Sequence, residues 1–425
     1  MSDASPALSA TSFGDDQRST WACLFSAPVL IAALGYFVDI YDLVLFGIVR
    51  KASLIELRVP EAALLDVGGQ LLNMQMIGML IGGLLWGAIG DRRGRITTLL
   101  GSILLYSVAN LLNGMVTTIG QYEVLRLVAG IGLAGELGAG ITLVVESLPR
   151  GKRGYGTMMV SGIGVSGAIL GFFIASSFGW RNAYYIGGAM GLALLGLRVF
   201  AHESGMFARL VAAGGDEGIA RGNVFALFTN ASRLGRFLTC IAIGLPLWYV
   251  VGILVTFSPE LAKALGVSGP IDAGRSLMLA YLGLVVGDFG SGLISQWWRS
   301  RKKAIAVFMG LTAVTCAAYF ALRGVDSTTF YALILVLGVF VGYWALFVTV
   351  AAEQFGTNLR ATVASNVPNF VRGALVPMII MFKALKDGWG ALGAAAAVGV
   401  LVFAIAAVAL WFMRETFNRD LDYVE

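Results

Sequence analysis

The sequence predicts an all-α integral membrane protein whose twelve transmembrane helices form two pseudo-symmetric six-helix bundles. Three observations carry that prediction. Hydrophobic residues make up 58% of the 425 residues and charged residues only 13%, whereas a soluble chain carries about a quarter charged residues. The mean hydropathy is +0.81, and the apolar residues gather into twelve runs, each near the roughly 20 residues that cross a bilayer as helix. Features of the first half also return in the second at one constant separation.

The runs cover 23–49, 68–89, 96–116, 122–148, 155–178, 182–200, 235–261, 276–298, 304–322, 330–355, 360–386 and 389–413. Those longer than the minimum imply tilted or kinked helices, and the 56 glycines suit close helix packing. The first twenty residues are polar, with Asp3, Asp15 and Asp16. They lack the basic segment and cleavage site of a secretory signal, so the first span is expected to stay in the membrane. The longest polar stretch between runs divides them six and six. The expected organisation is an N-terminal cytoplasmic tail (1–22), a first bundle (23–200), a cytoplasmic linker (201–234), a second bundle (235–413) and a C-terminal tail (414–425).

Lys and Arg are denser on one set of connections. Arg92, Arg93, Arg95, Arg150, Lys152, Arg153 and the basic turn 299–303 fall on one side, against a sparser set such as Arg50, Lys51 and Arg58 on the other. That asymmetry predicts both termini in the cytoplasm, with the chain in a bacterial inner membrane. The net charge of +5 is then a topology signal, and nucleic acid is not an expected partner. The expected partners are the bilayer and a small molecule, with the chain acting as a monomer. Cys23, Cys240 and Cys316 lie in or beside apolar runs, spaced for neither a metal nor a disulfide framework. The sole histidine, His202, ends the sixth run. GIGLAG and GIGVSG sit inside spans with no preceding strand, unlike phosphate-binding loops. Nothing here points to an enzyme, a metal or a cofactor.

The repeat is sharpest at charged helix ends. The fourth span ends Glu146-Ser-Leu-Pro149 and reaches Arg153; the tenth ends Glu353-Gln-Phe-Gly356 and reaches Arg360 at the same separation. That separation also carries Arg95 onto Lys302 and Tyr41 onto Trp248. Such internal repeats mark secondary transporters. The segments AIGDRRGRITTLL (88–100) and VVESLPRGKRGYG (144–156) resemble the loop between helices 2 and 3, and the end of helix 4, in the major facilitator superfamily of transporters. Asp39-Ile-Tyr41-Asp42, the run Gly130 to Glu136, Glu146-x-x-Pro149, Arg153-Gly154 and Glu203-Ser204-x-x-Phe207 look like its metabolite:proton symporter branch. The resemblance implies transport by alternating access, protons as the coupling ion, and a substrate among organic acids, amino acids, betaines and similar metabolites. Asp91, Arg92, Arg95, Glu146 and Arg153, with Glu353 and Arg360 in the second half, are expected to form a cytoplasmic gate of salt bridges. The second-half turn RSRKK departs from the pattern by lacking a Gly-Asp pair.

Charges at bilayer depth are costly, about 2.5–3.5 kcal/mol on insertion scales, so each needs a partner or a task. Asp39 and Asp42 lie three apart in the first span and are expected on nearly one face. Desolvation and a nearby like charge both favour the protonated form of a carboxyl, which makes Asp39 the leading proton carrier, Asp42 a gating or pairing residue, and Glu136 a second proton candidate or a contact for a cationic substrate group. Arg126 is expected to pair with Asp42 or Asp39. Arg372 falls mid-span in a stripe with Asn366 and Asn369, between Pro368 and Pro377. Its planar fork suits a carboxylate. Two readings stand: these three anchor an anionic substrate, or Arg372 pairs with Asp288 of the eighth span. Tyr41, Gln75, Trp248, Tyr249, Tyr343 and Trp344 complete a candidate cavity, each with an ordinary packing role beside it. The expected function is proton symport of a small polar, anionic metabolite. The alternatives are a proton-driven exporter, a passive uniporter or a transporter-like membrane receptor; the fifth span, SGIGVSGAILG, lacks the Gly-Pro common in exporters of the superfamily.

Overall fold

A computed structural model describes residues 25–93, 95–136, 148, 153–203 and 227–417. Among these residues the chain is helical, and its one extended pairing is an isolated bridge between Ser268 and Asp326. The helices are α1 (Ala27–Glu56), α2 (Leu64–Arg93), α3 (Arg95–Asn113), α4 (Ile119–Leu133), α5 (Arg153–Val165), α6 (Gly167–Phe178) and α7 (Trp180–Glu203), then α8 (Ala231–Tyr249), a π-helical turn (Val250–Val255), α9 (Ser258–Leu265), α10 (Ala273–Trp297), α11 (Arg301–Ala321), α12 (Ser327–Val341), α13 (Trp344–Glu353), α14 (Thr357–Gly373) and α15 (Leu375–Phe412). They fall along the twelve predicted spans. α5 with α6 makes the fifth; α8, the π turn and α9 make the seventh; α12 with α13 makes the tenth. α14 and the first part of α15 make the eleventh, and Gly390, at φ +69°, turns α15 into the twelfth.

The helix starts follow from capping chemistry. Thr118 and Gln121 form a capping box on α4, Asn230 caps α8, Asp272 caps α10 and Ser300 caps α11, each filling amides a helix cannot satisfy itself. Asp326 caps α12, and hydrogen bonds from the Thr329 hydroxyl and amide hold its carboxyl below the usual carboxylate range.

The halves repeat in space as in sequence. Shifted by the separation of Glu146 and Glu353, α3 lands on 302–320 beside α11, and α4 lands on 326–340 beside α12. In each half the tightest pair, α2 on α4 and α10 on α12, meets through glycine. A side chain at Gly130 would strike the Gln75 carbonyl, and one at Gly338 the Ala280 carbonyl, so backbones touch where a side chain would part them. The halves meet along α2–α14, α1–α10, α5–α10 and α6–α10. Apolar side chains such as Val124, Phe173, Val286, Val314 and Val400 stay exposed on the outside, as lipid-facing residues do. Cys240 and Cys316 are free and buried.

Candidate functional site

The site lies where α1, α8, α10, α13 and α14 converge between the halves. Asp39 of α1 and Arg372 of α14 are both buried and face each other, Asp39 Oδ2 standing 3.9 Å from Arg372 Nη2. That is an ion pair beyond hydrogen-bond reach. Neither Asp39 oxygen has a hydrogen-bond partner, nor do Nε and Nη1 of Arg372. Two indoles flank the guanidinium, with the Trp344 ring 5.6 Å and the Trp248 ring 5.9 Å from Cζ. The Trp344 indole donates to the Tyr36 hydroxyl at 3.1 Å. A small cavity opens here, walled by Tyr36, Trp248, Tyr281, Trp344 and Arg372 together with aliphatic groups. One cationic fork, partly unsatisfied and set between aromatic faces, has the chemistry to receive a flat anion.

Asp288 corrects one expectation. It makes no ion pair with Arg372: one carboxylate oxygen accepts from the Ser161 hydroxyl at 3.0 Å and the other from the Ala345 amide at 3.0 Å. α10 aims its carboxylate at the start of α13, and Arg372 one helix away turns to Asp39.

Asp39 and Asp42 also diverge. Asp42 points into the first half, where a side chain on Gly187 of α7 would collide with it. Both its oxygens are without hydrogen bonds. Arg126 is nearby, buried against Phe46 (5.2 Å) and Tyr184 (6.0 Å), and none of its guanidinium nitrogens has a hydrogen-bond partner. The expected ion pair of Arg126 with Asp42 or Asp39 is absent among the described contacts; aromatic faces hold the cation instead.

Glu136 sits in a two-pronged pair with Arg198 of α7, one contact at 3.1 Å. The pair presses on α1 at Gly35, where any side chain would collide with both groups. The sequence reading missed Arg198, although a lone Arg in the apolar run LLGLRVF was a usable signal. Other candidates stand outside the cavity. Tyr41 donates to the Ala183 carbonyl at 2.8 Å, Gln75 to Leu43 at 3.1 Å, Tyr249 to Ala395 at 2.7 Å and Tyr343 to Ile243 at 3.2 Å; these tie helices within one half. Asn366 and Asn369 face α2 at Gly83, and Asn369 donates to the Ala134 carbonyl across the halves at 2.9 Å.

At the face where α1 ends and α9 lies, ions pair across the halves. Arg50, read from sequence only as a surface charge, is fully buried. It donates to Glu260 (2.8 Å), the Thr256 carbonyl (3.2 Å) and the Leu64 carbonyl (3.3 Å), and lies over Phe257. Lys386 meets Asp66 at 2.9 Å. At the other face, where α15 ends, Glu353 pairs with Arg301 of its own half at 3.4 Å and accepts from Thr416. Arg360 stands in the first turn of α14. Glu146 and the side chains of Asp91, Arg92, Arg95 and Arg153 lie outside the described residues.

The model of the Major Facilitator Superfamily matches residues 32–367. A metabolite transport protein of Haemophilus influenzae is 27% identical over 370 residues, spanning 82% of this chain and 86% of the relative. The 4-hydroxybenzoate transporter of Pseudomonas putida is 28% identical, spanning 79% and 80%. A crystal structure of a D-xylose–proton symporter superposes with a TM-score of 0.66 at 17% identity, covering 92% of this chain and 98% of that one; it shares the fold. These likenesses make the chain a membrane transporter of small molecules and not an enzyme.

Proposed function

The chain belongs to the Major Facilitator Superfamily, and on that premise we propose that it carries a small aromatic carboxylate by proton symport. The loose Asp39–Arg372 pair supports this reading most directly. Buried ion pairs hold only when their geometry is good, and here the charges stand 3.9 Å apart with hydrogen-bonding capacity unused. A substrate carboxylate offers Arg372 the two-pronged contact that Asp39 does not make. Once Asp39 takes up a proton, Arg372 is released to that anion, so proton and substrate load together. Trp248 and Trp344 supply faces for an aromatic ring, and the relative that carries 4-hydroxybenzoate by name fits the same chemistry.

The chain is further proposed to lie in an inner membrane with both ends cytoplasmic. The Arg50–Glu260 and Asp66–Lys386 pairs then close the outer side, and the basic helix ends around Arg92 and Arg153 form the inner gate. No cofactor enters the cycle; protons are the coupling ion. The deciding experiment uses proteoliposomes loaded with a pH-sensitive dye and given benzoate, 4-hydroxybenzoate, xylose or an amino acid. Internal acidification on adding the aromatic acids alone is the expected result. Uptake of radiolabelled benzoate without acidification would remove the coupling, and acidification with xylose alone would remove the substrate class.

A further inference from the structure

The tenth span is broken where it passes the site. α12 ends at Val341, Gly342 and Tyr343 leave helical geometry, and α13 starts again at Trp344. Gly342 lies directly on Gly287 and the Asp288 amide of α10, with no room for a side chain. The break therefore brings the new helix start, with its unfilled amides, against Asp288. A helix start carries partial positive charge and needs acceptors, yet the residue in the cap position, Tyr343, has no side chain that can serve, and no side-chain cap bond is present. Asp288 accepts from the Ala345 amide at 3.0 Å. Its second oxygen holds Ser161 of the first half at 3.0 Å.

We infer that Asp288 is a positioning residue for the substrate cavity: it caps α13 from another helix and so fixes Trp344, the first residue of that helix, beside Arg372. The inference rests on the cavity at Arg372 being the substrate site. The Trp344 side chain depends on where α13 begins, because its indole must reach both the Tyr36 hydroxyl at 3.1 Å and the neighbourhood of Arg372 at 5.6 Å. The job needs an acceptor oxygen and no negative charge. Asparagine is an equally good cap, and alanine is a poor one.

Three substitutions in the full-length protein test this. The Trp344 emission is isolated by subtracting the spectrum of each variant carrying Trp344→Phe, and is recorded first without ligand. Asp288→Ala is expected to shift it, while Asp288→Asn and Ser161→Ala leave it as in the wild type. Benzoate affinity is then expected to fall about fivefold in Asp288→Ala and to hold in Asp288→Asn, the size of a lost helix cap. A folded Asp288→Asn protein with the shifted emission overturns the inference, because charge and not capping would then matter. An unshifted Asp288→Ala, or a shifted Ser161→Ala, overturns it as well. The ligand-free spectra decide even if benzoate does not bind the wild type, in which case the substrate reading fails and the positioning role is judged alone.

Discussion

Arg50 and Arg372 are both fully buried arginines whose nearest carboxylate belongs to the other half, yet they sit in opposite conditions. Arg50 donates to a carboxylate and two backbone carbonyls and rests on a phenylalanine face. Arg372 has one carboxylate at 3.9 Å and two idle nitrogens. Buried charge is tolerated as its hydrogen-bonding capacity is filled, and Arg50 leaves only its Nε without a partner, so it is suited to hold the halves together. Arg372 is suited to exchange partners. Under the proposed function the same residue type is a fastener at one depth and a receptor at another, and the difference lies in which acceptors surround it.

The largest expected effect tests the receptor. Truncating one partner of a buried charge contact costs about 2–5 kcal/mol, so Arg372→Ala should weaken benzoate binding by ~100-fold in calorimetry. Unchanged binding would leave Arg372 a structural cation and erase the contrast with Arg50. Asp39→Asn keeps the shape and removes the titrating group. It should abolish accumulation driven by a pH gradient while benzoate exchange across the membrane continues, and full accumulation in that variant would move the coupling elsewhere.

The fastener gives a smaller effect. Removing one partner of a buried pair costs about 3–5 kcal/mol, less here because Glu260 keeps 23% of its side chain exposed. Arg50→Ala should open the outer side, read as ~10-fold faster labelling of a cysteine placed at the buried Ser258 by a membrane-impermeant maleimide. Equal labelling rates would mean that the seal lies elsewhere. The smallest change belongs to Lys386→Ala. Its pair with Asp66 is partly exposed, and such pairs contribute about 0–1 kcal/mol, so labelling should rise no more than about threefold, and less at high salt.

The fold was legible because its determinants are local or periodic. Apolar runs gave the spans and paired Glu and Arg gave the repeat, whereas the caps at Thr118, Asp272, Ser300 and Asp326, equally local signals, went unread. The site was legible in its residue types and less so in its pairings. Asp39 and Asp42 are three residues apart, which leaves them about 60° apart around a helix. That angle sends Asp39 across to Arg372 and Asp42 toward Gly187. Spacing along one helix says nothing of which neighbour stands opposite, so Arg372 was offered Asp288, and Arg198 and Arg50 went unread as partners of Glu136 and Glu260.

The lone Asp39–Arg372 couple also has an electrical consequence. An empty centre holds one negative and one positive charge. A centre loaded with a proton and a monocarboxylate holds a neutral acid, the same cation and the substrate anion, which again sum to zero. A full cycle under the proposed mechanism therefore moves no net charge. A membrane voltage, which acts with about 2.3 kcal/mol per charge per 100 mV, would then add nothing to accumulation. Such a carrier concentrates its substrate against the pH difference alone and keeps working in a cell whose potential has collapsed.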